Sequence, residues 1–439
     1  MIIEDYIEKN SLLYPDKIAI VCGGEQCTYK KLQERVSRRV DELHKESYNK
    51  GQIVCLRALP SINYLVSYFA LHKIGCVVAP LEKDIPAISF DKISKELCSY
   101  HLSDGAADVL YTTGTTGKSK GVVVCHRTII ADAENLIDGQ GFSHELAFVV
   151  NGPLNHIGSL SKIYPVLMLG GTIVIVDGLK DMELFFKALN YPAAKVATFL
   201  VPASIRILIQ LCASKLSALA DKIDFIETGA AAISQSDMES LCRLLPKTRL
   251  YNTYASTETG IISTYNYNDG KCMAGCLGKP MKHSEFFITE DGHIACKGDT
   301  IMSGYVGDPE KTSTVLRNGI IYTSDMGVID DEGMLHLKGR EDDVINVGGF
   351  KVSPVEVEDV ALSYYGINDC ICTSVDHKIT GRALKLLVVM KKDAEFNKKD
   401  IALFLRSKLE SYKVPLLYDQ VNEIKRTFNG KPDRKYYNG

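Results

Sequence analysis

The run Tyr111-Thr112-Thr113-Gly114-Thr115-Thr116-Gly117-Lys118-Ser119-Lys120-Gly121 constrains this chain more than any other stretch. Glycines let backbone N–H groups approach an anion closely. The threonine hydroxyls add donors, and Lys118 and Lys120 add positive charge. A loop of this kind holds polyphosphate. A linker or a plain turn has a similar composition, but the flanks oppose that reading. Ala106 to Leu110 leads in as an apolar run, Val122 to Val124 leads out, and both read as strands. A Walker loop requires G-x-x-x-x-G-K-[ST] followed by a helix. Gly117-Lys118-Ser119 fits its end, but Thr112 stands where the first glycine belongs. The β-branched run after the loop also opposes an immediate helix.

A chain of 439 residues holds more than one domain or subdomain. Its net charge of −3, with no long basic run, argues against nucleic acid or a lipid surface as partner. Thirteen cysteines are scattered without a matched pair of C-x-x-C motifs, which fits reduced, mostly buried thiols. A cytoplasmic setting is therefore expected. The start, Met1 to Tyr6, lacks a basic-then-apolar signal, and no apolar run is long enough for a membrane span.

Strand and helix patterns alternate along the first half. Residues 4 to 14 read as a helix, Lys17 to Cys22 as a strand, and Thr28 as the cap of a helix through Leu32, Val36, Val40 and Leu43. Ile53 to Leu59, Tyr64 to Leu71 and Cys76 to Pro80 continue as strand, helix and strand. Such alternation predicts α/β layers with parallel pairing. Further on, Thr128 to Ile137 and Ala203 to Cys212 read as helices. Thr172 to Asp177, Val196 to Pro202 and Ile223 to Thr228 read as strands. The last hundred residues read as a small α/β unit, with strands at Cys370 to Val375 and Leu384 to Met390 and a helix at Asp400 to Leu409.

Other runs carry chemistry. After Thr228 come Gly229, Ala230 and Ala231, small residues that let a flat ligand lie against the backbone. Tyr251 to Gly260 includes Asn252, Thr253, Tyr254, Thr257 and Glu258, an acid among hydroxyls that suits Mg²⁺ shared with phosphate. Asp325, in Tyr322-Thr323-Ser324-Asp325, offers a carboxylate able to accept two hydroxyls at once. Arg340 brings a guanidinium fork suited to oxygens.

The threonine-rich loop closely resembles the signature of the adenylate-forming superfamily: acyl-CoA synthetases, luciferases and the adenylation domains of peptide synthetases. Gly75 to Leu81, the Tyr254 to Glu258 run, Thr323-Ser324-Asp325, Lys338 to Glu358 and Asn429-Gly430-Lys431 resemble that family's other motifs, in family order. The resemblance implies an ATP- and Mg²⁺-dependent ligase that joins a carboxylic acid to coenzyme A through an acyl-adenylate. It implies that Thr112, Thr113, Gly114, Thr115, Thr116, Lys118 and Lys120 hold phosphate and that Gly229, Ala230, Ala231, Asn252, Thr253 and Tyr254 flank adenine. Glu258 then holds the metal beside Thr257, Asp325 and Arg340 hold the ribose, and His156 lines the acid pocket with Ser159, Ser204 and Ala255. Lys431 becomes the catalytic lysine, Asp342 the hinge, and Gly349 and Lys351 border the path of the pantetheine arm. Two domains follow, 1–341 and 342–439. The family's amino-acid-activating members carry an acid near His156. None lies between Gly152 and Leu160 here, and an unpaired buried ammonium is costly, which argues against an α-amino acid. The stretch from Pro80 to Tyr111 is shorter than usual in that family. An acyl carrier protein in place of coenzyme A is the alternative acceptor, although Lys351-Val352-Ser353-Pro354 looks more like a CoA ligase. A nucleotide-binding regulator without catalysis is the alternative class.

Overall fold

The computed structural model describes residues 2–102, 104–112, 120–273, 275–378, 381–427 and 430–438. It is a mixed α/β protein with a large N-terminal domain and a smaller C-terminal one. The expected positions on the threonine-rich loop from Thr113 to Lys118 lie outside the described residues.

The large domain carries two sheets. In the first, strands Thr172–Ile175, Leu146–Val150, Lys195–Leu200, Ile223–Thr228 and Arg249–Ser256 lie side by side and parallel. Their residues are apolar on both faces because helices cover both sides, as a parallel sheet requires. In the second sheet, Ile53–Arg57, Val77–Leu81 and Ala106–Thr112 are parallel, and Lys120–Cys125 returns antiparallel beside the last. The two apolar runs around the threonine-rich stretch are thus neighbouring strands, with Thr112 opposite Lys120.

Local signals explain most helix ends. Thr28 accepts from the Lys31 amide at 3.2 Å and starts helix Tyr29–Lys45, a cap of about 1 kcal/mol. Helix Ala87–Leu97 occupies the shortened stretch, and Arg57 lies over its Phe90 ring at 4.8 Å. Helix Ile157–Leu169 follows His156 and was not signalled by period, since it is apolar on most faces and contains Pro165.

A buried polar network ties the N-terminal helix Ile3–Leu13 to this core. His72 Nδ1 lies 3.0 Å from Glu4, and its Nε2 lies 3.3 Å from Asp108, which also accepts from the Tyr68 hydroxyl at 2.8 Å. Burial alone would lower the imidazole's pKa, but hydrogen bonds to the Asp108 and Glu4 carboxylates push it up to about 10.

The small domain has its own apolar core, which includes Ile345, Val352, Val357, Ile367, Leu386, Ile401 and Tyr418. Strands Ile367–His377 and Gly381–Met390 pair antiparallel, and Leu417–Gln420 adds in parallel. A short helical turn, Glu341–Asp343, follows the strand Leu335–Arg340. All thirteen cysteines are free thiols. Among the described residues no helix is long and apolar enough to cross a membrane.

Candidate active site

The parallel strands of the first sheet end on one cleft of about 1120 Å³. Asn151, Val176, Val201, Ala230, Thr257 and Glu258, each just beyond a strand's C-terminal end, line it. Ligands gather at such strand ends because loops there are free to vary over a rigid sheet. The volume is enough for a nucleotide with a second small molecule.

One wall is built from a pair of antiparallel strands. Asp325 in Ile320–Ile329 stands in register with Arg340 in Leu335–Arg340. The Arg340 guanidinium Nε therefore lies 3.0 Å from an Asp325 oxygen, and its Nη2 donates to Ser324 at 3.1 Å. The other Asp325 oxygen accepts from the buried Tyr254 hydroxyl at 2.8 Å. The carboxylate is fixed from two sides, and Asp325, Ser324 and Arg340 all face the cleft.

Glu258 lines the cleft just past the strand Arg249–Ser256. One of its oxygens accepts from the Tyr305 hydroxyl at 3.0 Å. The Glu258 carboxylate also lines the cleft, where a hard oxygen suits a hard cation. The Lys120 ammonium sits 5.2 Å from the Tyr305 ring centre, and Thr112 and Lys120 both reach the cleft. Tyr305 thus joins the two sheets at the site, and no motif in the sequence pointed to it.

The turn after Ile223–Thr228 is shaped for close approach. A side chain at Gly229 would meet the Thr253 carbonyl at 2.9 Å, so only glycine fits. Ala230 takes a left-handed φ of 67°, a strain of about 1–2 kcal/mol that exposes it to the cleft. Ala231 is half-buried next to it.

Lys431 is the cleft's contribution from the far end of the chain. It lines the same cavity as Glu258, Asp325, Arg340 and His156. Burial and the Arg340 charge lower its pKa, against the opposing pull of Asp325, Glu258 and Asp343. His156 ends the loop before helix Ile157–Leu169, and burial together with the Lys431 charge lowers its pKa to about 4. It is neutral at pH 7. Ser159, Ser204, Ala255 and Phe199 complete this end of the cleft. Asp177 also lines it, but Lys83 holds that carboxylate at 2.6 Å.

Several expected residues lie elsewhere. The Asn252 amide donates to the Cys276 carbonyl at 2.9 Å, and the Thr253 hydroxyl bonds Gln140 and Thr264, so both side chains serve the sheet interior. Tyr254 is buried and does not line the cleft; its hydroxyl meets Asp325, which does. Gly349 and Lys351 belong to the hairpin of Ile345–Val347 and Phe350–Val352, away from the cleft. Gly349 has φ 95° with open space around it, so it narrows no tunnel in this arrangement. Asp342, in the turn Glu341–Asp343, does face the cleft.

A strand-end cleft on a large α/β domain, closed by a small domain that inserts a lysine, defines a two-domain adenylate-forming fold. Residues 7–101 and 99–306 match the AMP-binding enzyme family, and residues 356–431 match the AMP-binding enzyme C-terminal domain. The chain belongs to the AMP-binding enzyme family. It is 25% identical to a 2-succinylbenzoate–CoA ligase of Geobacillus sp. (strain WCH70) over 489 residues, covering 98% of this chain and 96% of that one. It is 29% identical to a long-chain-fatty-acid–CoA ligase of Bacillus subtilis (strain 168), over 73% of this chain and 59% of the relative. The ATP-bound structure of MatB from Rhodopseudomonas palustris superposes with a TM-score of 0.88 at 22% identity, covering 100% of this chain and 99% of that one. The apo structure of the same protein gives 0.77.

Proposed function

We propose that this protein is an AMP-forming carboxylic acid:CoA ligase. The observation that carries the reading is the meeting of Lys431 with Glu258, Asp325, Arg340 and His156 in one cleft, although these residues span most of the chain. The CoA-ligase relatives, one of them matched almost end to end, support a thiol acceptor of that kind.

In the first half-reaction the acid's carboxylate oxygen attacks the α-phosphorus of ATP. The bond to the bridging oxygen breaks, pyrophosphate leaves, and an acyl-adenylate forms. Two anions must meet, so fixed positive charge lowers the barrier. Lys431 supplies it from the small domain and Lys120 from the large one, while the Thr112 hydroxyl adds a hydrogen-bond donor. Mg²⁺ at Glu258 would neutralise phosphate charge. Asp325 accepts the ribose hydroxyls while Arg340 and Tyr254 hold it still, which sets the α-phosphate in place. The adenine lies along the Gly229–Ala231 turn and the backbone of Asn252–Tyr254. Neutral His156 borders the acid without adding a second positive charge beside Lys431.

In the second half-reaction the small domain, residues 342–439, turns about Asp342. Lys431 withdraws, and the hairpin of Gly349 and Lys351 comes to the cleft to border the pantetheine arm. The thiolate attacks the acyl carbon, and AMP leaves. The segment from Gly152 to Leu160 around His156 carries no acid for an α-ammonium, and of the acids lining that end of the cleft, Asp177 is paired with Lys83 while Asp84 sits beside that lysine in the chain. A simple carboxylic acid, aryl, keto or fatty, is the substrate class.

The test is acid-dependent pyrophosphate exchange over a panel of aryl, keto and fatty acids, followed by thioester formation with CoA or a holo carrier protein. Exchange with at least one acid and transfer to free CoA are expected. No exchange across the panel would leave a nucleotide-binding regulator, and transfer to the carrier alone would replace CoA as acceptor.

A further inference from the structure

Lys431 reaches the cleft at the end of a turn that is tied to a carboxylate outside the site. Asp369 opens the strand Ile367–His377 of the small domain, on the face that meets the large one. Its Oδ1 accepts from Nη1 of Arg206 at 2.8 Å, and its Oδ2 accepts from Nη2 of Arg426 at 2.6 Å. Arg206 belongs to the large domain, on helix Pro202–Ser217, one turn beyond the cleft residues Val201 and Ser204. Its remaining nitrogens are locked on Asp237 at 3.0 and 2.8 Å, so it stands on a rigid base. Arg426 belongs to the lysine turn, and its Nη1 donates to the Gly430 carbonyl at 3.1 Å, next to Lys431. The turn is closed by its own backbone, with the Thr427 amide donating to the Lys431 carbonyl at 2.8 Å.

We infer that Asp369 is a positioning residue for Lys431, bridging Arg206 of the large domain to Arg426 of the lysine turn. The inference rests on the adenylation reading above. Two guanidinium groups share one partly buried carboxylate, with side-chain exposures of 13%, 17% and 25% for Arg206, Asp369 and Arg426. If the carboxylate is removed, the two cations face each other across the domain boundary and repel. The contact holds only while the domains keep this arrangement, so it biases the molecule toward the pose with Lys431 inserted. A second contact across the same boundary runs from the Gln235 amide to Asp359 at 3.0 Å; Asp359 feels the Arg206 charge but bonds nothing in the lysine turn, so it is a control for loss of charge at the boundary alone.

Asp369→Asn keeps the shape and removes the charge. Adenylation should fall about 10- to 100-fold, in kcat rather than in KM for ATP, as expected for loss of charge-assisted hydrogen bonds at a positioning group. Thioester formation from supplied acyl-adenylate should stay within about twofold, and Asp369→Glu should recover much of the loss. Asp359→Asn should not produce this split. Independently of turnover, Lys431 in the Asp369→Asn protein should react several-fold faster with an amine-acylating reagent, read by mass spectrometry. Unchanged labelling of Lys431, or equal loss of both half-reactions with a lowered Tm, would overturn the inference. Faster labelling in a protein whose wild type shows no exchange would sustain the bridge and defeat the adenylation reading instead.

Discussion

Asp325 and Lys431 face the same cleft but are held in different ways. Asp325 stands on a strand inside the large sheet, in register with Arg340, and its carboxylate is braced by the buried Tyr254 hydroxyl. Glu258 likewise follows a strand and is braced by Tyr305. Lys431 stands on a turn of the small domain, and that turn is tied to the large domain through Asp369 and its two arginines. Its other support, the bidentate pair of Arg434 with Glu358 at 2.8 Å, lies within the small domain. A sheet-borne group stays put when domains move, and a group borne on the partner domain leaves with it. On the proposed function, the nucleotide is needed in both half-reactions and is held by fixed parts, whereas the extra positive charge is needed in one only and arrives on a removable part.

The sharpest way to break this contrast is Lys431→Ala. Adenylation should drop by about 10²- to 10³-fold, while thioester formation from supplied acyl-adenylate stays within about twofold. Asp325→Ala should act on the other side of the contrast. It should raise KM for ATP about 10- to 100-fold and slow both half-reactions, since AMP stays bound through each. Gly349→Leu should do the reverse of Lys431→Ala. Nothing crowds that position in the present arrangement, so adenylation should change little while thioester formation falls about tenfold or more. A fall in both would mean that strain at its φ of 95° had damaged the fold.

Two smaller effects concern pH. Lys431 must be protonated to act, and burial with the Arg340 charge lowers its pKa. The alkaline limb of the adenylation rate should therefore lie below the ordinary lysine range, and Arg340→Gln should move it upward. His72 offers a contrast inside the rigid half. Its pKa is raised from 6.5 to about 10, so its stabilising contribution is complete below pH 6.5 and fades as pH rises through about 10. The His72 contribution to unfolding free energy should fall as pH rises over pH 7–9, read as the difference in pH slope between wild type and His72→Gln.

The rigid half was the more legible in sequence. The β-branched runs at Thr172 to Asp177 and Ile223 to Thr228 could hardly be anything but strands, and Thr28 announced its helix. The strand Arg249–Ser256 shows where reading stops. Most of its residues are buried on both faces, so alternation could not tell that Asn252 and Thr253 turn away from the cleft. Tyr305, Arg206, Asp369 and Arg426 left no local signal, because the contacts Tyr305–Glu258, Asp369–Arg426 and Arg206–Asp369 span 47, 57 and 163 residues. Contacts of that kind belong to the assembled domains, and only the folded molecule shows them.

The most direct test of a removable lysine is to label Lys431 in the two states of one enzyme. Wild-type protein would be held with a non-hydrolysable ATP analogue and the acid, or with an acyl-adenylate analogue and CoA, and pulsed with an amine-acylating reagent before mass spectrometry. The account predicts strong protection of Lys431 in the first state and reactivity close to that of exposed lysines in the second. Equal protection in both states would contradict it.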